Sequence, residues 1–130
     1  RTAIAAPPPI DLSFASAEEA ATFGGLSLAP GHVRMPARTS VTDLPGFAEG
    51  RWWVQDLAAS LPARLLGVGA GRRVLDLCAA PGGKTLQLAA AGWNVTAVDG
   101  SAARLERLRA NLERTGLSAE VVEADLLAWE

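Results

Sequence analysis

Cysteine, lysine and histidine each occur once in this 130-residue chain. No apolar run approaches the ~20 residues needed to cross a bilayer. One cysteine excludes an intrachain disulfide framework and a cysteine-rich zinc site. A formal net charge of −2 withholds the strong basic excess that usually marks a dedicated nucleic-acid binder. The start, Arg1–Pro9, holds a Pro7-Pro8-Pro9 run and no secretory apolar stretch. A reducing, cytoplasmic setting without membrane or metal partners is therefore the expectation. The first residue is not Met, which suggests a chain that begins inside a longer protein. What is present fits a globular protein, with 49% hydrophobic and 20% charged residues, enough to bury a core. Alanine supplies 26 residues, so weak helical patterns are discounted, and eleven arginines against one lysine make the position of Lys84 informative.

The chain divides into two regions. In the first, Ile10, Leu12 and Phe14 alternate with polar residues and predict a strand. Ser16 and Glu19 stand at capping-box spacing and open a helix through about Phe23, ended by Gly24-Gly25. Leu26–Leu28 and His32–Met35 read as two more short strands, and residues 36–50 as a linker. In the second region, Trp53, Leu57, Leu61 and Leu65 lie at helical spacing, with Pro62 expected to kink or restart the helix. Arg73–Leu77 predicts a strand, Gly83–Ala91 a helix and Asn94–Val98 a strand ending at Asp99. Ser101 can cap a helix with Leu105, Leu108 and Leu112 on one face, and Gly116 stops it. Ala119–Glu123 then predicts a third strand, followed by Asp125. Strand, helix, strand, helix, strand with tight loops makes a parallel, Rossmann-like α/β sheet.

The chemistry concentrates in Asp76-Leu77-Cys78-Ala79-Ala80-Pro81-Gly82-Gly83-Lys84-Thr85, which joins a strand to a helix where an open α/β sheet binds its ligand. Ala79, Ala80, Gly82 and Gly83 let backbone approach a ligand, and the helix start favours an anionic group. A phosphate loop needs G-x-x-x-x-G-K-[ST]; Gly83-Lys84-Thr85 fits, but Cys78 stands at the first glycine. The dinucleotide fingerprint G-x-G-x-x-G is absent. Asp99, ending the second strand, sits where a carboxylate accepts both ribose hydroxyls, and Asp125 ends the third strand at the same sheet edge. An adenosyl ligand without a pyrophosphate fits best, with S-adenosylmethionine the common one.

The run Asp76–Thr85 (DLCAAPGGKT) resembles the methyl-donor loop of the Fmu/Sun family of RNA cytosine-C5 methyltransferases. Gly50-Arg51-Trp52-Trp53-Val54-Gln55-Asp56 and Ser60-Leu61-Pro62 are similar to that family's segment leading into the catalytic domain. Val98-Asp99 and Ala124-Asp125 fall at its second and third motifs, so the likeness spans about Pro45–Trp129. The resemblance implies that Cys78, Ala79, Ala80, Pro81, Gly82, Gly83 and Lys84 hold the methionine part of the donor, Asp99 the ribose and Asp125 the adenine end. It implies an RNA partner, expected to be ribosomal. It further implies that 1–44 end a small α/β RNA-guiding domain with its linker, and that 45–130 are the first half of a class I methyltransferase domain, incomplete at its first three parallel strands. Val74, Leu75 and Leu77 would then border a strand not included.

The family's reaction uses a Thr-Cys and a Pro-Cys motif, and this sequence has neither dipeptide. Cys78 is therefore not read as the nucleophile but as a small apolar residue closing a strand end, and the chain alone is expected to be inactive. Asp99 and Asp125 can also be read as helix or loop caps, and Asp76 as a residue that orients the loop. Gln55 and Asp56 read as surface or capping groups, and His32 as a residue of a solvated loop. Trp52, Trp53, Trp93 and Trp129 read as core more than as base-stacking platforms. Arg104, Arg107, Arg109 and Arg114 read as a solvated helix face with Glu106 and Glu113. The alternatives are a related methyltransferase with another substrate, a non-catalytic S-adenosylmethionine-binding or interaction module, and nucleotide hydrolysis at Gly83-Lys84-Thr85.

Overall fold

The computed structural model describes residues 6–128, so the reading of Trp129 lies outside the described residues. Among the described residues there are two three-stranded sheets. The first is antiparallel, with β1 (Ile10–Phe14) between β2 (His32–Met35) and β3 (Trp52–Val54). The second is parallel, in the order β4 (Arg73–Leu77), β5 (Asn94–Asp99), β6 (Glu120–Glu123). Four α-helices connect the strands among the described residues: α1 (Ala17–Phe23), α2 (Leu57–Leu66), α3 (Gly83–Ala90) and α4 (Ala102–Thr115). Among the described residues no helix is long and apolar enough to cross a membrane.

The local signals act as expected in most elements. The Ser16 side chain accepts the Glu19 N–H, and the Ser101 side chain accepts that of Arg104. Leu105, Leu108 and Leu112 of α4 are buried, and Gly116 ends the helix in the left-handed region at φ 66°. These leucines pack with Ala97 of β5 and Leu86 of α3, while Val74 and Val95 face Leu88 and Ala63. Both crossover helices therefore lie on one face of the parallel sheet, as right-handed connections running in one direction require. Arg73–Leu77 is an edge strand of this sheet, as expected, while the Val74 side chain packs into the helix-covered core. Leu75 and Leu77 point to the other face and are about half exposed.

Several expectations fail. Leu26–Leu28 is not a strand; Leu26 makes only an isolated bridge to Arg34. Residues 36–50 hold a short 3-10 turn, Val41–Asp43, and Leu44 and Phe47 pack against Trp52. The helix read from Trp53 begins only at Leu57, because Trp52–Val54 completes the first sheet. Strand alternation then puts Trp52 into the antiparallel core and Trp53 into the other core. On α2 the buried residues are Ser60 and Ala63, with Leu61 and Leu65 exposed. Small side chains bring α2 close to α3, and the four-residue leucine spacing marks the outer face. The helix runs through Pro62 without restarting.

His32 is the clearest correction. It is wholly buried on β2, opposite Ser13, with Nε2 3.3 Å from Asp11 Oδ2 and Nδ1 accepting the Leu28 N–H. Arg34 grips the Asp11 carboxylate with two N–H donors at 2.7 and 2.8 Å, and the Leu57 N–H adds a third bond at 3.0 Å. The Arg34 guanidinium holds the Asp11 carboxyl well below the usual carboxylate range. A lowered folded-state pKa stabilises the fold above the unfolded value, and that contribution is lost as acid protonates the folded group. Asp11→Asn is thus expected to lower the melting temperature near neutral pH. The gap from the parent should narrow as pH falls below about 4, where the unfolded carboxyl protonates. Parallel melting profiles between pH 7 and pH 2 would refute this assignment.

Candidate functional site

The parallel sheet directs the C-terminal ends of β4, β5 and β6 to one side, where the loop 78–84, Asp99 and Asp125 all lie. The loop is closed from beneath by a buried pair: the Thr85 hydroxyl donates to Asp76 Oδ2 at 2.6 Å. Asp76 thus orients the loop. Thr85→Val removes this donor and leaves a buried carboxylate oxygen without it, so a loss of roughly 1–3 kcal/mol is expected in urea unfolding. The same bond bears on phosphate-loop chemistry, since Thr85 is wholly buried and its hydroxyl is already committed.

Cys78 leaves β4 at φ 64°, a left-handed conformation uncommon for a residue other than glycine. It directly follows β4 and so closes the strand end, but it is exposed and does not pack as a small apolar residue there; the sharp turn carries it out of the packed layer. Ala79 and Ala80 are buried next, with the Ala79 N–H donating to Val98 O at 3.0 Å. The Ala80–Pro81 peptide is cis. Gly82 has φ 117°, a conformation that requires glycine, and a Cβ there would lie 2.5 Å from Leu108 Cδ1, so the end of that side chain on α4 would have to move aside. The first turn of α3 has no side-chain cap. Its leading N–H groups and positive dipole end can hold an anionic group. Exposed Lys84 stands beside them and adds a charge of the same sign.

Asp99 is 3% exposed and gathers the site. Oδ2 accepts the Ala80 N–H at 3.2 Å, Oδ1 accepts the Ser101 N–H at 3.1 Å, and the Arg104 guanidinium lies 3.2 Å from Oδ2. Arg104 also donates to the Ala80 carbonyl. A carboxylate offers about four acceptor positions, so withdrawal of Arg104 leaves each oxygen able to receive one ligand hydroxyl. Asp99 is both a cap and a strand-end acceptor. Asp125 stands apart from the loop: it is exposed, and Oδ1 accepts the Leu127 N–H at 3.0 Å in the turn after β6. Ala124, its neighbour, donates to the Asp99 carbonyl at 3.2 Å, which brings the two acids to adjacent strand ends.

On the other side of the loop, a cavity of about 210 Å³ is walled by Gln55, Asp56, Asp76, Cys78, Gly83 and Lys84. A second cavity of about 220 Å³, between β1 and α3, holds Ser13, Trp53, Arg64 and Gln87 but none of the strand-end acids. Asp56 caps α2 through the Ala58 N–H, as a capping group should. Gln55 was read as a surface or capping group but is buried beside the loop. Two arginines also depart from the solvated face. Arg104 serves Asp99, and Arg114 donates to the Phe47 and Trp52 carbonyls. Arg109 keeps the expected surface pair with Glu106. Among the tryptophans, Trp52 and Trp53 are core, whereas Trp93 is half-buried under the Arg72 guanidinium.

Comparison with known proteins gives a consistent picture. Residues 63–130 match the family model described as 16S rRNA methyltransferase RsmB/F. Over 88 residues the chain is 56% identical to ribosomal RNA small subunit methyltransferase B of Pseudomonas syringae pv. tomato, covering 65% of this chain and 20% of that protein. The chain thus spans about one fifth of the length of the curated relatives it matches. Among solved structures, a methyltransferase homolog protein from Pyrococcus horikoshii superposes with TM-score 0.78 and 25% identity, covering 97% of this chain and 47% of that one. NSun6 from Pyrococcus horikoshii, solved with SFG, gives TM-score 0.60 and 31% identity over 74% of this chain and 25% of that one.

Proposed function

The chain belongs to the RsmB/F family of 16S rRNA methyltransferases, and on that premise we propose that it is the S-adenosylmethionine-binding portion of an RNA cytosine-C5 methyltransferase acting on ribosomal RNA. The observation that carries this reading is the junction of loop and acid: the Ala80 N–H donates to Asp99, which joins the glycine-rich turn to the strand-end carboxylate. An adenosyl donor needs both parts together. The residues fit it by their chemistry. Half-buried Gly83 presents its backbone with no side chain in the way, and the uncapped start of α3 beside Lys84 suits the donor's carboxylate. When bound, S-adenosylmethionine supplies an electrophilic methyl group.

This chain's own residues hold and orient. The backbone from Cys78 to Lys84 takes the methionine part, Asp99 the ribose hydroxyls and Asp125 the adenine end. Arg104 is the residue that must yield for Asp99 to receive both hydroxyls. Residues 1–44 are assigned to the end of a small RNA-guiding domain and 45–130 to the donor-binding domain, with β3 of the second part completing the sheet of the first. Cys78 belongs to the loop, so the cysteine that adds to cytosine C6 must come from elsewhere in the protein. ATP hydrolysis is disfavoured by the commitment of Thr85 to Asp76.

The chemistry is tested with the protein that carries this chain, unmodified 16S rRNA and methyl-labelled donor. Nucleoside digestion should place the label on 5-methylcytidine. Label on another nucleoside would favour a related methyltransferase with a different substrate. Donor binding without RNA labelling would favour a binding module.

A further inference from the structure

We infer that Gln55 is a positioning residue for the loop 78–84, and that through it the antiparallel sheet becomes part of the donor site; this rests on the donor reading above. Gln55 directly follows β3 and is 5% exposed. Its N–H donates to the Asp11 carbonyl at 3.0 Å, which ties it to β1. Its side-chain oxygen accepts the Trp53 indole N–H at 2.9 Å, and its amide donates to Gln87 Oε1 at 2.8 Å. Gln87 in turn donates to the Ser60 carbonyl of α2 at 3.0 Å. The stem of Gln55 lies against Gly83, where an added Cβ would sit 3.2 Å from its Cγ.

Gly83 and Gln87 are four residues apart on α3 and so share one face, one turn apart. Gln55 meets the helix at both points. One contact limits how closely α3 approaches β3, and the other, a directional hydrogen bond, fixes its rotation about its axis. Together they aim the N–H groups of the first turn, which are the groups assigned to the donor's amino-acid end. An apolar side chain of equal volume would fill the space without fixing the rotation. The indole bond from Trp53 holds the carboxamide in the orientation that gives its N–H to α3, so the strand itself sets the angle. Gln55 also walls the cavity that holds Gly83 and Lys84.

The test compares parent, Gln55→Met and Gln87→Leu by calorimetric titration with S-adenosylmethionine, well below each protein's unfolding temperature. Amide hydrogen exchange is followed in parallel. Gln55→Met removes both side-chain hydrogen bonds, to Trp53 and to Gln87, and loss of the directional one to α3 should weaken donor binding about tenfold. Faster exchange should be confined to the loop and the first turn of α3, with the circular dichroism spectrum unchanged. Gln87→Leu removes the same bond from the helix side and should shift affinity in the same direction; it decides alone if Gln55→Met does not fold. Parental affinity in a folded variant overturns the inference. A parent that does not bind the donor overturns the donor reading instead.

Discussion

Asp99→Ala is expected to weaken binding of S-adenosylmethionine by roughly 1–3 kcal/mol, up to about 100-fold in Kd. Two losses combine. The ribose hydroxyls lose a charged acceptor, and the protein loses the group that gathers the Ala80 N–H, the Ser101 N–H and the Arg104 guanidinium. Asp99→Asn separates them. It keeps an oxygen that can serve one of the two backbone donors but removes the charge-assisted bonds, so affinity should fall with a smaller drop in melting temperature than in Asp99→Ala. Calorimetric titration and thermal melting of the two variants check both parts. Unchanged affinity in both would remove Asp99 from the ribose site.

Gly50→Ala should cause the largest loss of stability, about 3 kcal/mol or more in urea unfolding, within the range of severe overpacking. A Cβ at this position would lie 1.8 Å from the Arg114 carbonyl oxygen and 2.6 Å from Thr115 Cα. These are backbone atoms at the end of α4, so no side-chain rotation relieves the contact. The displaced segment would also carry away the Phe47 and Trp52 carbonyls that accept from Arg114 at 2.8 and 3.0 Å. It would uncover the Arg114 guanidinium, now 4.3 Å above the Phe47 ring. Burial already pushes the Arg114 pKa down, so this cation depends on those partners. Gly67 is the control. It has the same φ of +67° but nothing within 4 Å of an added Cβ. Its ψ of −152° lies in a region that essentially only glycine populates, so Gly67→Ala should show that backbone penalty without a collision, about 1–3 kcal/mol. Equal losses in the two variants would show that the collision is relieved.

The parallel half of the molecule was legible because its signals are local. Ser101 and Gly116 bound α4, the leucines at 105, 108 and 112 define its inner face, and Asp76 and Asp99 sit where strand ends require. The antiparallel half depends on partners distant in sequence. Trp52–Val54 becomes a strand because β1, about forty residues earlier, accepts it in register. The leucines that follow at four-residue spacing imitate a helix beginning at Trp53. His32 is buried because register sets it opposite Ser13 and beside Asp11. No single-residue property announces this. The contacts of Gln55 and Arg104 escape for the same reason: each side chain reaches another segment, and its own neighbours do not encode that reach. Cys78 shows a different limit, since a left-handed cysteine leaves no mark in residue type.

The central claim, that the loop 78–84 and Asp99 together bind an adenosyl methyl donor, is tested most directly by calorimetric titration of the protein with S-adenosylmethionine and, separately, with ATP. Saturable binding of S-adenosylmethionine is expected, weakened up to about 100-fold in Asp99→Ala, with no comparable binding of ATP. Tight binding of ATP without binding of S-adenosylmethionine would contradict it.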